Sequence, residues 1–127
     1  MENQEMKEIV NQYFKAYSEF DVQKMGSFLH DDVEFKNISN GEVTLALNGK
    51  TAFINQAKHA VNLFEKRKIK VKSFTFEDEF LDVKLDFMGI LAVDVPEDHK
   101  KGDKIEMEGR SRLKFSSDKI ISIEDIN

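Results

Sequence analysis

Residues 9–37 constrain the fold of this chain more than any other segment, because their hydrophobic pattern changes twice within a short stretch. Apolar residues recur at intervals of three and four early in the chain, which predicts an amphipathic helix over about residues 4–19. Asp21 then supplies a favourable N-cap for a second, short helix. Residues 33–37 alternate between apolar and polar positions, and this pattern predicts a strand whose inner face carries Asn37.

The rest of the chain changes from one helix to a series of strands. A stripe of apolar residues from Phe53 to Phe64 predicts a third helix over about residues 51–66. Alternation with a period of two follows, and a change of parity between Val71 and Phe74 indicates a β-bulge. The predicted strands cover about residues 69–76, 83–93, 105–115 and 119–124, with a hairpin arm at 38–50 and a turn at 95–102.

The length of 127 residues fits a single domain that spans residues 1–127 and is long enough to bury one core. Because the helices come early and the strands late, we expect an α+β domain. In this domain three N-terminal helices pack on one long, curved, mostly antiparallel sheet. Eleven Phe residues supply large apolar side chains for its interior.

Composition and charge disfavour several classes of function. A net charge of −5 argues against binding to nucleic acid or to anionic membranes. The chain has no Cys, and its three His residues lack the spacing of a metal pair, so we expect no metal and no cofactor. The start of the chain lacks a signal-peptide pattern, and no run approaches the ~18 apolar residues of a membrane span. These features predict a cytoplasmic protein without membrane contact.

The order of these features resembles the nuclear transport factor 2-like superfamily. The resemblance rests on Tyr13 in the first helix, on Asp-x-x-x-Met-x-x-Phe-Leu-His-Asp-Asp-Val-Glu-Phe from Asp21, on Asn-Gly-Lys from Asn48, and on Arg-Leu-Lys-Phe from Arg112. The chain is most similar to the SnoaL-like and ketosteroid-isomerase-like branch, over essentially its whole length. The resemblance implies a cystatin-like cone of helices on a curved mixed sheet, an internal pocket, and a homodimer formed through the outer sheet face.

Two positions depart from the ketosteroid isomerase pattern. The resemblance matches Tyr13 to the Tyr that donates to the oxyanion in those enzymes, but it places Asn37 at the general base and Ser111 at the second, protonated Asp. An amide has no useful proton affinity near neutral pH, so Asn37 cannot replace a base that contributes roughly 10²–10⁴-fold. Ser111 can still donate a hydrogen bond, although less strongly than a buried neutral acid. The sequence therefore predicts no ketosteroid isomerase activity.

Polar residues on apolar faces predict a binding site inside the domain. Buried polar groups need partners, so these residues either orient a ligand or bond to one another and to trapped water. Both interpretations stay open at this point. The predicted ligand-binding residues are the polar Tyr13, Tyr17, Asn37 and Ser111 and the apolar Phe28, Phe53, Phe87 and Met107.

Two functions are open for such a site. The first is a non-catalytic protein that binds an unknown small, largely apolar molecule, and it is favoured because no carboxylate or His is expected to point inward. The alternative is a small-molecule isomerase, cyclase, dehydratase or hydrolase in which Tyr13 and Asn37 orient the substrate. The basic residues 66–68 follow a predicted helix C-terminus, where cations are favourable, and we expect them to form a solvated cluster.

Overall fold

Three helices pack on a six-stranded sheet in the computed structural model, which describes residues 1–96 and 98–127. This architecture confirms the predicted α+β class. The predicted turn at residues 95–102 includes Glu97, which lies outside the described residues. In chain order the elements are α1 (Asn3–Ser18), α2 (Val22–Ser27), β1 (Leu29–Ser39), β2 (Glu42–Asn48), α3 (Lys50–Val61), β3 (Phe64–Glu77), β4 (Phe80–Leu91), β5 (Lys104–Ser116) and β6 (Lys119–Ile126).

The strands are arranged in the order β2-β1-β6-β5-β4-β3. β1 and β6 run parallel and the other neighbouring strands run antiparallel, so the sheet is mixed. The register of β3 on β4 shifts between Val71 and Ser73, which confirms the predicted bulge. Because the last strand lies between β1 and β5, the residues at its end face side chains from the first third of the chain.

The first two helices form as their sequences predict. α1 turns Val10, Tyr13 and Phe14 inward, and its remaining faces carry most of its charged residues. The side chain of Asp21 accepts a hydrogen bond from the backbone nitrogen of Lys24 at 3.0 Å, so the predicted N-cap of α2 is confirmed. Among the described residues, none of the helices is long and apolar enough to cross a membrane.

The core is built from branched aliphatic side chains on both helices and strands. Truncation of such a residue to Ala costs about 2–5 kcal/mol of folding free energy, because both burial and packing are lost. The Phe residues mostly surround this core rather than form its centre. Residues that are at most 2% exposed include Val10, Leu29, Val33, Leu81, Val83, Leu113, Ile120 and Ile123.

The third helix is shorter than the sequence predicts. α3 ends at Val61, and Phe64 already belongs to β3. The Phe64 ring lies over Gly89 of the neighbouring strand, where an added Cβ would come within 2.6 Å of the ring, and it meets Phe87 edge to face at 5.6 Å. Since the ring fills the space that the glycine leaves, this contact between strands outweighs the helical spacing of Phe64.

The break between α1 and α2 occurs at a left-handed residue, Phe20, whose φ is 61°. This conformation is unusual for a bulky side chain. The backbone nitrogen of Phe20 donates to the carbonyl of Tyr17 at 3.2 Å, and the Phe20 ring lies 4.7 Å from Cζ of Arg67. The turn therefore ends α1 and places an aromatic ring on a cationic side chain.

Charged side chains on the sheet form ion pairs across strands. Lys72 lies 3.6 Å from Asp86 and 3.8 Å from Glu108, and Arg110 lies 3.1 Å from Asp82. Exposed pairs such as those of Lys72 stabilise a fold by about 1 kcal/mol or less. The side chain of Asp82 is only 11% exposed, so its pair with Arg110 is partly buried. The homodimer expected through the outer sheet face stays a prediction.

Candidate functional site

A cavity of about 290 Å³ lies between the helices and the sheet. α1 contributes Tyr13 and Tyr17, which are four residues apart and therefore share one face of the helix. Phe53 of α3 and residues from all six strands complete a mainly apolar wall. This volume is about twice the ~150 Å³ that accommodates benzene in an apolar protein cavity, so it suits a ligand of roughly two rings.

The structure brings most of the predicted ligand-binding residues to this cavity. Phe28 does not border it, because this residue is the C-cap of α2 and packs against the core. Ser111 does not border it either, because it is 1% exposed and its hydroxyl is directed to another side chain. The structure therefore removes Phe28 and Ser111 from the predicted lining of the cavity. The predicted residues that border the cavity are Tyr13, Tyr17, Asn37, Phe53, Phe87 and Met107.

A carboxyl group in the wall contradicts the expectation that none points inward. Asp125 lies on β6 and borders the cavity, and its Oδ1 accepts a hydrogen bond from Oγ of Ser111 at 2.6 Å. Burial raises the pKa of Asp125 to about 6, while the hydrogen bond from Ser111 acts to lower it. The carboxyl is therefore mostly ionised at neutral pH but can take up a proton readily.

Asp125 stands between two positions that the isomerase resemblance had singled out. Asn37 of β1 pairs with Asp125 of β6, and Asp125 pairs in turn with Ser111 of β5. The three residues thus form one row across adjacent strands. The carboxyls that this resemblance assigns to the two outer positions are missing, but the chain retains one carboxyl in the row between them.

Asn37 is engaged by the protein itself. Its Nδ2 donates to Oγ1 of Thr44 at 2.8 Å and to Oγ of Ser39 at 3.2 Å, and its Oδ1 accepts from Nδ2 of Asn127 at 3.3 Å. Ser39 also donates to Oδ1 of Asn127 at 2.6 Å. This arrangement, which we term the Asn37 cluster, favours the structural interpretation of the amide over the ligand-orienting one.

The two tyrosines keep their hydroxyl protons at neutral pH. Burial raises the pKa of Tyr13 well above its ordinary value; Asp125 and Tyr17 raise it further, and Arg67 lowers it. Burial also raises the pKa of Tyr17, against the opposing effect of Arg67. Tyr13 therefore lies within the electrostatic influence of both an anion, Asp125, and a cation, Arg67. Either hydroxyl can serve as a hydrogen-bond donor to a ligand oxygen.

Arg67 contradicts the expected solvated basic cluster, since it is only 3% exposed and borders the cavity. Its Nε donates to the backbone carbonyl of Tyr17 at 2.6 Å, and its Cζ lies 3.7 Å from the centre of the Tyr17 ring. Its Nη2 is buried without a hydrogen-bond partner among residues 1–96 and 98–127. Lys66 and Lys68 on either side are exposed, as predicted.

Sequence reasoning missed Asp125 and Arg67 because two strand boundaries were misplaced. The last predicted strand stops at residue 124, whereas continued alternation from Ile123 would have put Asp125 on the inner face. The predicted third helix runs to residue 66, and this hid the alternation of Arg67 with the inward residues of β3. Within the described part of the chain, no group of three His, Asp or Glu residues is arranged to hold a metal ion.

Solved structures with the same architecture come from several bacteria. TsrD from Streptomyces laurentii has a TM-score of 0.80 at 11% identity, with 98% of this chain and 89% of that chain covered. A candidate SnoaL-like polyketide cyclase from Jannaschia has a TM-score of 0.79 at 13% identity, with coverage of 96% and 84%. A candidate polyketide cyclase from Xanthomonas campestris has a TM-score of 0.77 at 16% identity, with coverage of 98% and 90%. Identities this low establish a common fold only.

A comparison with curated proteins gives no significant match. At the level of families, the SnoaL-like domain matches residues 10–123, from the middle of α1 into β6. This match includes nearly all of the elements that enclose the cavity and agrees with the resemblance found in the sequence. The chain therefore belongs to the SnoaL-like domain family, on a nuclear transport factor 2-like fold.

Proposed function

We propose that the cavity binds a small, largely apolar carbonyl compound and that Asp125 moves a proton to and from its carbon skeleton. The observation that carries this proposal is the carboxyl of Asp125 at the cavity wall, with a pKa raised to about 6. A general base works best when its pKa lies near the operating pH. This group meets that condition, and Asn37 does not.

The chemistry follows from the groups around the cavity. The carboxylate of Asp125 takes a proton from a carbon next to the carbonyl, and the electron pair of the broken C–H bond moves onto the carbonyl oxygen. The hydroxyl of Tyr13 donates a hydrogen bond to that oxygen, because burial keeps Tyr13 protonated. Return of the proton from Asp125 to another carbon gives an isomer. Alternatively, the carbanion attacks a second carbonyl carbon and closes a ring; the π electrons of that carbonyl move onto its oxygen, which takes the proton from Asp125.

The solved relatives favour this substrate class. Two of those named above are candidate polyketide cyclases, and polyketides carry carbonyl groups along their chains. A hydrogen between two carbonyls is acidic enough for a weak carboxylate base to remove. The cavity has room for roughly two rings, so we expect a small substrate and no turnover of four-ring steroids.

Hydrogen exchange tests the proposal directly, because it requires proton transfer and no knowledge of the natural substrate. 2-Tetralone, a two-ring apolar ketone, is incubated with the purified protein in D₂O, and loss of its α-proton signal is followed by NMR. We expect saturable acceleration over buffer that increases with pH through about 6, since the base must be ionised. Asp125→Asn should lower the protein-dependent rate by roughly 10²–10⁴-fold.

Asp86→Asn is the matched control, because it makes the same chemical change at a half-exposed carboxylate paired with Lys72. It should leave the exchange rate unchanged. Equal rates in the wild type and in Asp125→Asn would contradict catalysis by this residue. If 2-tetralone binds to both forms and neither accelerates exchange, the domain is a non-catalytic binding module instead.

A further inference from the structure

The strongest clue to ligand chemistry lies at Arg67, away from the Asn37–Asp125–Ser111 row. Arg67 is 3% exposed as a whole residue and borders the cavity, and none of the ion pairs among the described residues includes it. A buried cation is strongly unfavourable unless an opposite charge or several hydrogen bonds compensate it. The protein therefore holds a desolvated positive charge against its ligand space.

The neighbours of Arg67 compensate only partly for the cost of burying its positive charge. Nε donates to the carbonyl of Tyr17 in the last turn of α1, where the helix dipole is negative. The rings of Tyr17 and Phe20 lie 3.7 and 4.7 Å from Cζ, and such contacts attract a cation weakly. These contacts fix the plane of the guanidinium. Nη2 remains buried and without a partner in the described residues, so the hydrogen-bonding capacity of the group is not exhausted.

A helix-capping role alone does not explain this arrangement. A cap needs only one donor, and Nε supplies it. An Arg that served only as a cap could direct its terminal nitrogens to water, as side chains on exposed strand faces do. Here the same side chain is enclosed and stacked, and it borders an apolar cavity. Arginine in a fixed orientation is well suited to a carboxylate, because its planar fork matches two oxygens.

We propose that the ligand of this cavity carries a carboxylate that binds Arg67 at the β3 side, while its apolar body extends toward Tyr13 and Asp125. This proposal rests on the proposed function, since it assumes that the cavity binds a small apolar molecule. It adds the class of that molecule, which is an apolar acid. Arg67 is then a binding and positioning residue, and the carboxylate fixes which carbon of the ligand faces Asp125.

Matched acids and amides provide the test, because a primary amide has nearly the shape of a carboxylate and no charge. The pairs are 2-naphthoate with 2-naphthamide and octanoate with octanamide, and affinities are measured by isothermal titration calorimetry at pH 8. We expect the wild type to prefer at least one acid over its amide by tenfold or more. Arg67→Met should abolish this preference, and Arg67→Lys should retain part of it, since a lysine is a point charge without the fork.

Lys68→Met is the matched control, because it removes the same charge from the next residue, which is exposed. It should leave the preference within twofold of the wild type. If Arg67→Met does not fold, the wild type and Arg67→Lys decide the question. In the wild type, the Nε–Hε NMR signal of Arg67 should shift with the acid and not with the amide.

The outcomes separate this proposal from the one on which it depends. Equal affinity of the wild type for acids and amides overturns the carboxylate assignment and leaves the binding cavity intact. A loss of preference in Lys68→Met as large as in Arg67→Met also overturns it, because the effect would then come from general surface charge. Failure of every acid and every amide to bind counts against both proposals.

Discussion

Asn37 and Asp125 are neighbours in register on adjacent strands, yet their polar atoms have different surroundings. Both oxygen and nitrogen of the Asn37 amide are engaged by Ser39, Thr44 and Asn127. The carboxyl of Asp125 accepts one hydrogen bond, from Ser111, and otherwise borders the cavity. The comparison teaches that a position in the wall is insufficient evidence for a functional role. A side chain in the wall is a better candidate for ligand binding when the protein itself leaves part of its hydrogen-bonding capacity unused.

The largest expected effect concerns the pH dependence of stability. Burial raises the pKa of Asp125 from 3.8 to about 6, so the unfolded chain releases this proton first as the pH rises. The group therefore destabilises the fold increasingly between about pH 4 and pH 6, and the effect is constant above that range. The upper limit is about 3 kcal/mol, since one pKa unit corresponds to about 1.4 kcal/mol.

Asp125→Asn should abolish the loss of unfolding free energy that the wild type shows between about pH 4 and pH 6, because the amide does not titrate. Urea unfolding of both proteins at pH 4, 5, 6 and 8, followed by circular dichroism, measures the difference in unfolding free energy. We expect the variant to gain on the wild type by up to about 3 kcal/mol between pH 4 and pH 8. A difference that does not change with pH would show that Asp125 is as well solvated as a surface carboxylate.

A smaller effect is expected from Asn37→Ala, and it should appear in stability rather than in binding. The substitution removes the hydrogen bonds that join β1 to Thr44 and Asn127, at a cost of about 1 kcal/mol because the cluster is partly exposed. The affinity for 2-tetralone or 2-naphthoate should change by less than twofold. Thr44→Val and the double variant complete a cycle that measures the coupling between the two side chains.

A loss of binding without a loss of stability in Asn37→Ala would contradict the contrast drawn between Asn37 and Asp125. If affinity falls tenfold while the unfolding free energy is unchanged, the amide orients the ligand, and the Asn37 cluster only holds it in place. The sequence-based interpretation of Asn37 as a ligand-orienting residue would then be the better one.

The smallest effect should come from Ser111→Ala. The hydroxyl donates to ionised Asp125 at 2.6 Å, and this bond lowers the pKa of the carboxyl against the effect of burial. Loss of the bond should raise that pKa further, because burial would then act without the opposing hydrogen bond. A ¹³C NMR titration of labelled Asp carboxyls measures the shift. No change would mean that solvent in the cavity replaces the hydroxyl.

The overall fold could be predicted from the sequence because periodicity is repeated over many residues. The alternation in β4 and β5 and the helical stripe of α1 each persist through several repeats, so an error at one residue does not change the element. The capping residue Asp21 and the bulge near Val71 could also be predicted from the sequence, since each depends on a local pattern.

The candidate site was less predictable because its two charged residues lie at the ends of elements, where periodicity has fewest repeats. Asp125 is the second-to-last residue of β6, and Arg67 follows a boundary that depends on the contact of Phe64 with Gly89. That contact joins residues far apart in the chain, so local pattern could not reveal it. The partners of Asn37 have the same character, since Asn127 reaches it from the other end of the sequence.

The left-handed backbone of Phe20 bears on how this protein can be engineered for heat resistance. Glycine at this position would relieve strain of about 1 kcal/mol or more, and a screen for higher melting temperature would favour it. The same substitution would remove the ring that lies 4.7 Å from Cζ of Arg67 and would open that face of the guanidinium to water. If Arg67 binds the carboxylate of a ligand as proposed, variants selected for heat resistance alone would lose selectivity for acids, so such a screen should include a binding assay.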